Sequence, residues 1–225
     1  MVNLGVTASQ PDTTARSRGG SQTLVDNFNS SADPIAGTAA SGTDGLLIPG
    51  QSTGGRALGE NTSNVWASYW LTPTYGPDLD VWGTPKVVDA ANGGHAWIDL
   101  RIQDPGSTST VDCYEVELHR GDTPDHIYIW KTVNGVAVQK AIVTYQWVDG
   151  YRLRAAIVGN TINVYVDNGT GWALVLTYTD SSSPITAAGK LGIGGRTDAT
   201  LSNGGWDDLY ASGLVVASSK YAMVI

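Results

Sequence analysis

Alternation with a period of two runs through most of this chain. In YRLRAAIVGNTINVYVDN (151–168), Leu153, Ala155 and Ile157 alternate with Arg152, Arg154 and Ala156. Gly159-Asn160 supplies a tight turn, and Ile162, Val164 and Val166 share a face on the return. This is the pattern of two half-buried antiparallel strands. HAWIDLRIQD (95–104) sets Ala96, Ile98, Leu100 and Ile102 on one face and Trp97, Asp99, Arg101 and Gln103 on the other. VDCYEVELHR (111–120) turns Tyr114, Val116 and Leu118 inward. HIYIWKTVNGVAVQKAIV (126–143) reads as two strands joined at Asn134-Gly135, a dipeptide suited to positive φ at both turn positions. Further strands are predicted at 23–29, within 45–50, and at 64–72, 86–90, 172–180, 190–196 and 206–216. No window of about eleven residues keeps a helical period. Short strands separated by turn residues, without a fixed repeat, predict an all-β antiparallel two-sheet sandwich over residues 23–214.

The two ends read differently. Residues 1–22 are rich in Thr, Ser, Gly and Gln and hold almost no large apolar side chain, so they form an extended arm rather than part of a core. The arm carries Arg16 and Arg18 in a chain whose net charge is −8. Residues 215–225 form an apolar tail with Tyr221, Met223, Val224 and Ile225 past the last strand. Both ends are expected to be assembly devices that bury surface on a neighbour.

Charge and cysteine narrow the function classes. An acidic chain with scattered basic residues argues against nucleic acid as a partner. Cys113 stands alone, so there is no intrachain disulfide. The first twenty residues lack an apolar signal core, and no stretch approaches a membrane span, so synthesis in a cytoplasm without membrane insertion is expected. A virion protein is made in this way in its host and acts outside it.

The succession YRLRAAIVGNTINVYVDN…VLTYTDSSSPITAAGKLGIGG…WDDLYAS, with LVDNFN near the start, resembles the concanavalin A-like, laminin-G-like jelly-roll domains, including those of bacteriophage minor tail proteins. The resemblance covers most of residues 23–214. It implies two curved sheets with the first and last strands adjacent. It also implies a structural Ca²⁺ near those strands, for which Asp26, Asp207 and Asp208 occupy comparable places. Function on this fold rests on a site.

Three sites come into view. On a strand, Cys113, Glu115, Glu117 and His119 share the face opposite the core. Laminarinase-like jelly rolls carry Glu-x-Asp-x-Glu there; this chain has Glu115, Glu117 and His119, so the third acid is missing and a solvated strand face is the plainer expectation. A zinc site on Cys113 and His119 lacks further ligands at suitable spacing. Trp82, in GPDLDVWGTP beside Asp78 and Asp80, reads as a partly exposed loop tryptophan suited to stacking on a sugar. The expected function is therefore a non-enzymatic structural virion protein of a bacteriophage, a minor tail or accessory protein that assembles with other virion proteins and with itself. Host-surface glycan is its expected external ligand. A stand-alone carbohydrate-binding module and a glycoside hydrolase are the alternatives.

Overall fold

The computed structural model describes residues 23–26, 38–40, 51–52, 57–58, 65–86, 94–105, 109–121, 123–197 and 205–214; side chains are described within 73–86, 94–105, 109–121, 123–195 and 205–213. Among the described residues there is no helix, and so none long and apolar enough to cross a membrane. The strands are β1 (Thr23–Asp26), β2 (Thr38–Ala40), β3 (Gln51–Ser52), β4 (Ala57–Leu58), β5 (Val65–Pro85), β6 (His95–Gln103), β7 (Asp112–His119), β8 (His126–Val133), β9 (Val136–Thr144), β10 (Arg152–Val158), β11 (Thr161–Asp167), β12 (Trp172–Thr179), β13 (Gly189–Thr197) and β14 (Gly205–Leu214). The strands predicted within 45–50 and at 86–90, the arm 1–22 and the tail 215–225 lie outside the described residues, apart from Lys86.

All pairings are antiparallel, and β5 organises them. Its first half, from Val65 to Tyr75, pairs with β13, and its second half, from Tyr75 to Pro85, pairs with β14. One sheet runs β2-β5-β13-β6-β7-β8-β9 and the other β1-β14-β5-β10-β11-β12. The first and last strands are adjacent, through Leu24 opposite Tyr210. The result is an antiparallel two-sheet jelly-roll sandwich. Between the sheets, Ile98, Leu100, Val116, Leu118, Ile127 and Ile129 meet Val81, Leu153, Ala155, Ile157, Ile162 and Val164, all fully buried. Each Val, Leu or Ile among them contributes about 1.5–3 kcal/mol by leaving water.

Turn chemistry follows the sequence closely. Asn134 and Gly135 have φ of 49° and 73°, so the β8–β9 hairpin turns as its dipeptide dictates. The Asp167 carboxylate accepts from the Gly169 and Gly171 amides at 2.7 and 3.0 Å and shapes the β11–β12 turn.

Two expectations are corrected. Residues 76–85 are strand, not loop, because β10 and β14 pair with both edges of that half of β5. The alternation in β6 fails at its end: Arg101 takes φ 54° at a register shift, and Ile102 crosses to pack beside Cys113. Arg101 turns inward and donates to the carbonyls of Pro77, Ile185 and Gly159 at 2.5, 2.5 and 2.7 Å. Trp147, between β9 and β10, is buried in the core.

Candidate functional site

Each sheet turns one face away from the core, and both faces carry aromatic side chains. On the β5-β10-β11-β12-β14 sheet, register places Tyr210, Trp82, Arg154, Tyr165 and Leu174 in one row across five strands. Trp82 stacks on Tyr210 at 4.0 Å between centroids and 11° between planes. The Arg152 guanidinium reaches it at 5.1 Å, and Trp172 meets it edge-on at 5.8 Å. Tyr210 comes from one side of β5 and Arg152 from the other, so both faces of the indole are in contact with protein.

The two acids expected beside Trp82 have separate tasks. Asp80 is buried and accepts from Arg154 Nε and Nη2 at 2.7 and 2.6 Å, a bidentate pair. Asp78 is exposed and accepts from the Gly159 amide at 2.9 Å at the β10–β11 turn. Trp82 and Asp80 thus share a face, while Asp78 belongs to the rim.

The β5-β13-β6-β7-β8-β9 sheet presents three rows of chemistry. His95, His119 and His126 stand opposite one another on β6, β7 and β8. Trp97, Glu117 and Tyr128 form the second row, and Asp99, Glu115 and Trp130 the third. His95, Trp97, Asp99 and Glu117 are buried, whereas Glu115, His119, His126, Tyr128 and Trp130 are half-exposed. The face therefore opens toward β8. Trp97 can lie flat on this sheet because β13 offers Gly194, where an added Cβ would sit 2.2 Å from the indole.

Glu117 is the fixed centre of this face. It receives the His95 Nδ1–H and, at 2.6 Å, the Trp130 Nε1–H. The second bond sets the orientation of the half-exposed indole. Tyr128 lies 5.6 Å from Trp130 with a 32° tilt, and the His95 and His119 rings stack at 4.0 Å. Glu115 is pushed well above the ordinary carboxylate range by burial, then by the charges of Asp99 and Glu117.

The sequence placed Glu115, Glu117 and His119 on one face but missed Asp99, which β6 sets directly opposite Glu115. Strand periodicity orders residues along one strand and says nothing of which residue faces them on the next. Cys113, beside Ile102, is buried, and burial above all pushes its thiol well up, which does not favour metal binding.

Of the proposed calcium ligands, only Asp207 and Asp208 have described side chains. Asp207 faces Lys86 Nζ at 3.5 Å, and Asp208 sits at φ 51° on a bulge. Asp26 pairs along the backbone with Leu209, and its side chain is outside the described set. No group of three or more His, Cys, Asp or Glu able to hold a metal occurs among the described residues. The assembly candidates Arg16, Arg18, Tyr221, Met223, Val224 and Ile225 lie outside them as well.

No protein-family profile matches the chain, and no curated protein matches it by sequence. Solved structures do. The CBM2 module of the evolved Dit of Lactobacillus casei BL23 phage J-1 is similar with a TM-score of 0.59 at 16% identity, covering 87% of this chain and 97% of that one. The carbohydrate-binding module CBM66 of Bacillus subtilis gives 0.52 at 15%, with 87% and 97% covered. The exoplasmic/lumenal domain of VIP36, solved with Ca²⁺ and mannose, gives 0.56 at 15%, with 74% and 81% covered. At these identities the likeness is one of fold, and the fold it assigns is the lectin-like β-sandwich.

Proposed function

We propose that this chain is a carbohydrate-binding module carried on a bacteriophage virion, where it engages host-surface glycan without cleaving it. The observation that carries the binding reading is the Tyr128–Trp130 pair. Two half-exposed rings lie beside carboxylate and imidazole groups, and Glu117 holds the indole in place. Sugars are bound by such pairings, an apolar ring face against C–H groups and polar atoms for the hydroxyls. Trp82 is half-exposed as well, but Tyr210 stacks on its ring and Arg152 lies over it. The phage setting is supported by the likeness to the phage J-1 module and by the polar arm and apolar tail, which suit docking on other virion proteins and on further copies of this chain.

A screen on immobilised glycans followed by titration calorimetry tests the site. Trp130→Ala is expected to weaken binding about tenfold or more, roughly 1.4 kcal/mol. Trp82→Ala is expected to leave affinity within about twofold while lowering stability. The reverse order of effects would move the site to the other sheet. Mass spectrometry of purified virions checks the setting, and absence of the chain from the particle would remove it.

One observation favours a hydrolytic second reading: Asp99 supplies, from the neighbouring strand, the third carboxylate that β7 lacks. No turnover of polysaccharide is expected from the wild type. Turnover that disappears in Glu115→Gln would establish the hydrolase instead.

A further inference from the structure

We propose that the glycan bound on the β6–β8 face carries a free, positively charged amino group, as a de-N-acetylated hexosamine does. This rests on the reading that the face binds sugar, and it adds the chemical class.

The three carboxylates of the face are not equivalent. Glu117 is committed to His95 and Trp130. Asp99 is 4% exposed. Glu115 is the one that is half-exposed, and among the described residues no hydrogen bond or ion pair reaches its carboxylate. Besides burial, what acts on Glu115 is repulsion, from Asp99 and then from Glu117. Two cations of these strands, both with described side chains, are engaged elsewhere. Lys131 is buried on the core side with Asp180 at 2.7 Å, and Arg101 is turned to backbone carbonyls.

A partly desolvated carboxylate opposed by two like charges is costly unless a cation joins it. The indole that would carry the sugar ring stands directly opposite Glu115 on β8. An ammonium placed at Glu115 therefore also lies within reach of an aromatic face, which attracts cations. A hydroxyl in the same place would leave the repulsion standing, and a uronate would add to it. A divalent ion would relieve it as well, but no metal-holding cluster occurs among the described residues.

The test uses chitosan tetramer, chitin tetramer and cellotetraose, which share one backbone and differ in a single ring substituent: ammonium, acetamide or hydroxyl. Titration of the full chain near neutral pH, where the Glu115 carboxylate forms more readily and part of the amines stay protonated, is expected to show the ammonium form bound about tenfold or more tighter than cellotetraose. Glu115→Gln is expected to abolish that preference and leave cellotetraose affinity unchanged. Asp99→Asn serves as a second variant with the same direction of effect. Asp149→Asn removes an exposed carboxylate elsewhere and is expected to change nothing.

Equal affinity for the three tetramers, or preference for acetamide or hydroxyl, overturns the proposal. So does a preference lost equally in Asp149→Asn, which would mark diffuse attraction of a polycation to an acidic protein. Binding confined to neutral glycans leaves the sugar-binding reading standing and sinks this one; binding to no glycan sinks both.

Discussion

At the scale of single residues, burial, with the charges of Asp99 and Glu117, gives Glu115 a pH-dependent part in stability. Folding raises this carboxyl above its unfolded value of about 4.3. Its contribution to stability is therefore fully present below that value and is lost as pH rises through the folded pKa. Glu115→Gln keeps the shape and removes the titration. The variant is expected to melt higher than wild type near neutral pH, with the gap closing as pH falls toward about 4. Thermal melts of both proteins across pH check this, and a gap that widens on acidification would contradict it. The difference between the two curves isolates Glu115 from Asp167 and Asp180. For each of those, burial alone would raise the pKa, yet hydrogen bonds hold it low: from the Gly169 and Gly171 amides and Arg152 for Asp167, and from Lys131, Tyr114 and the Ser182 amide for Asp180.

At the scale of elements, β13 shows how a strand's composition serves its neighbour. Its sequence, GKLGIGGRT, is poor in β-propensity, and glycine in a strand usually marks a close approach. Here the approach is that of Trp97 on β6, directly opposite Gly194. The Gly194 carbonyl also accepts from Trp206 Nε1 at 2.9 Å, so the strand is held from the core side as well. Gly194→Ala would drive a methyl into a buried ring with no room to retreat. A loss of about 1–3 kcal/mol is expected from overpacking, together with a changed near-ultraviolet signal from the displaced tryptophan. A variant with unchanged denaturant midpoint and spectrum would show that Trp97 does not lie where described.

At the scale of the whole molecule, the two sheets are joined by buried polar contacts as well as by apolar packing. Lys131 on β8 reaches Asp180, just past β12, at 2.7 Å, and Tyr114 on β7 donates to the same carboxylate at 2.7 Å. The Tyr114 hydroxyl accepts from the Ile185 amide at 3.0 Å, and Lys131 donates to the Ser183 carbonyl at 2.6 Å. The 180–185 segment is thereby fastened across the sandwich. Lys131 and Asp180 are 6% and 1% exposed, so removing one partner strands a charge. Lys131→Met is expected to cost about 3–5 kcal/mol, read from chemical denaturation. The double variant Lys131→Met with Asp180→Leu should recover part of that loss, since it strands no charge. No recovery would mean that hydrogen bonding to Tyr114 and the serine carbonyls, rather than the charge pair, holds the segment.

What the sequence determined by itself was whatever depends on neighbours along the chain. Period-two alternation identified β6, β7, β8, β10 and β11 and their buried faces, because successive side chains on a strand must point to opposite sides. Asn134-Gly135 specified its hairpin because few other residues accept that backbone. The tertiary structure alone decided what depends on neighbours across strands. It extended β5 through a stretch rich in Gly, Pro and Asp, because β10 and β14 supplied hydrogen-bond partners that outweigh weak propensity. It turned Arg101 inward through a bulge. It closed both faces of Trp82 with Tyr210 and Arg152, which are 128 and 70 residues away in sequence. And it assembled Asp99, Glu115 and Trp130 into one row, since register, fixed by the packing of the whole sandwich, decides which side chains meet.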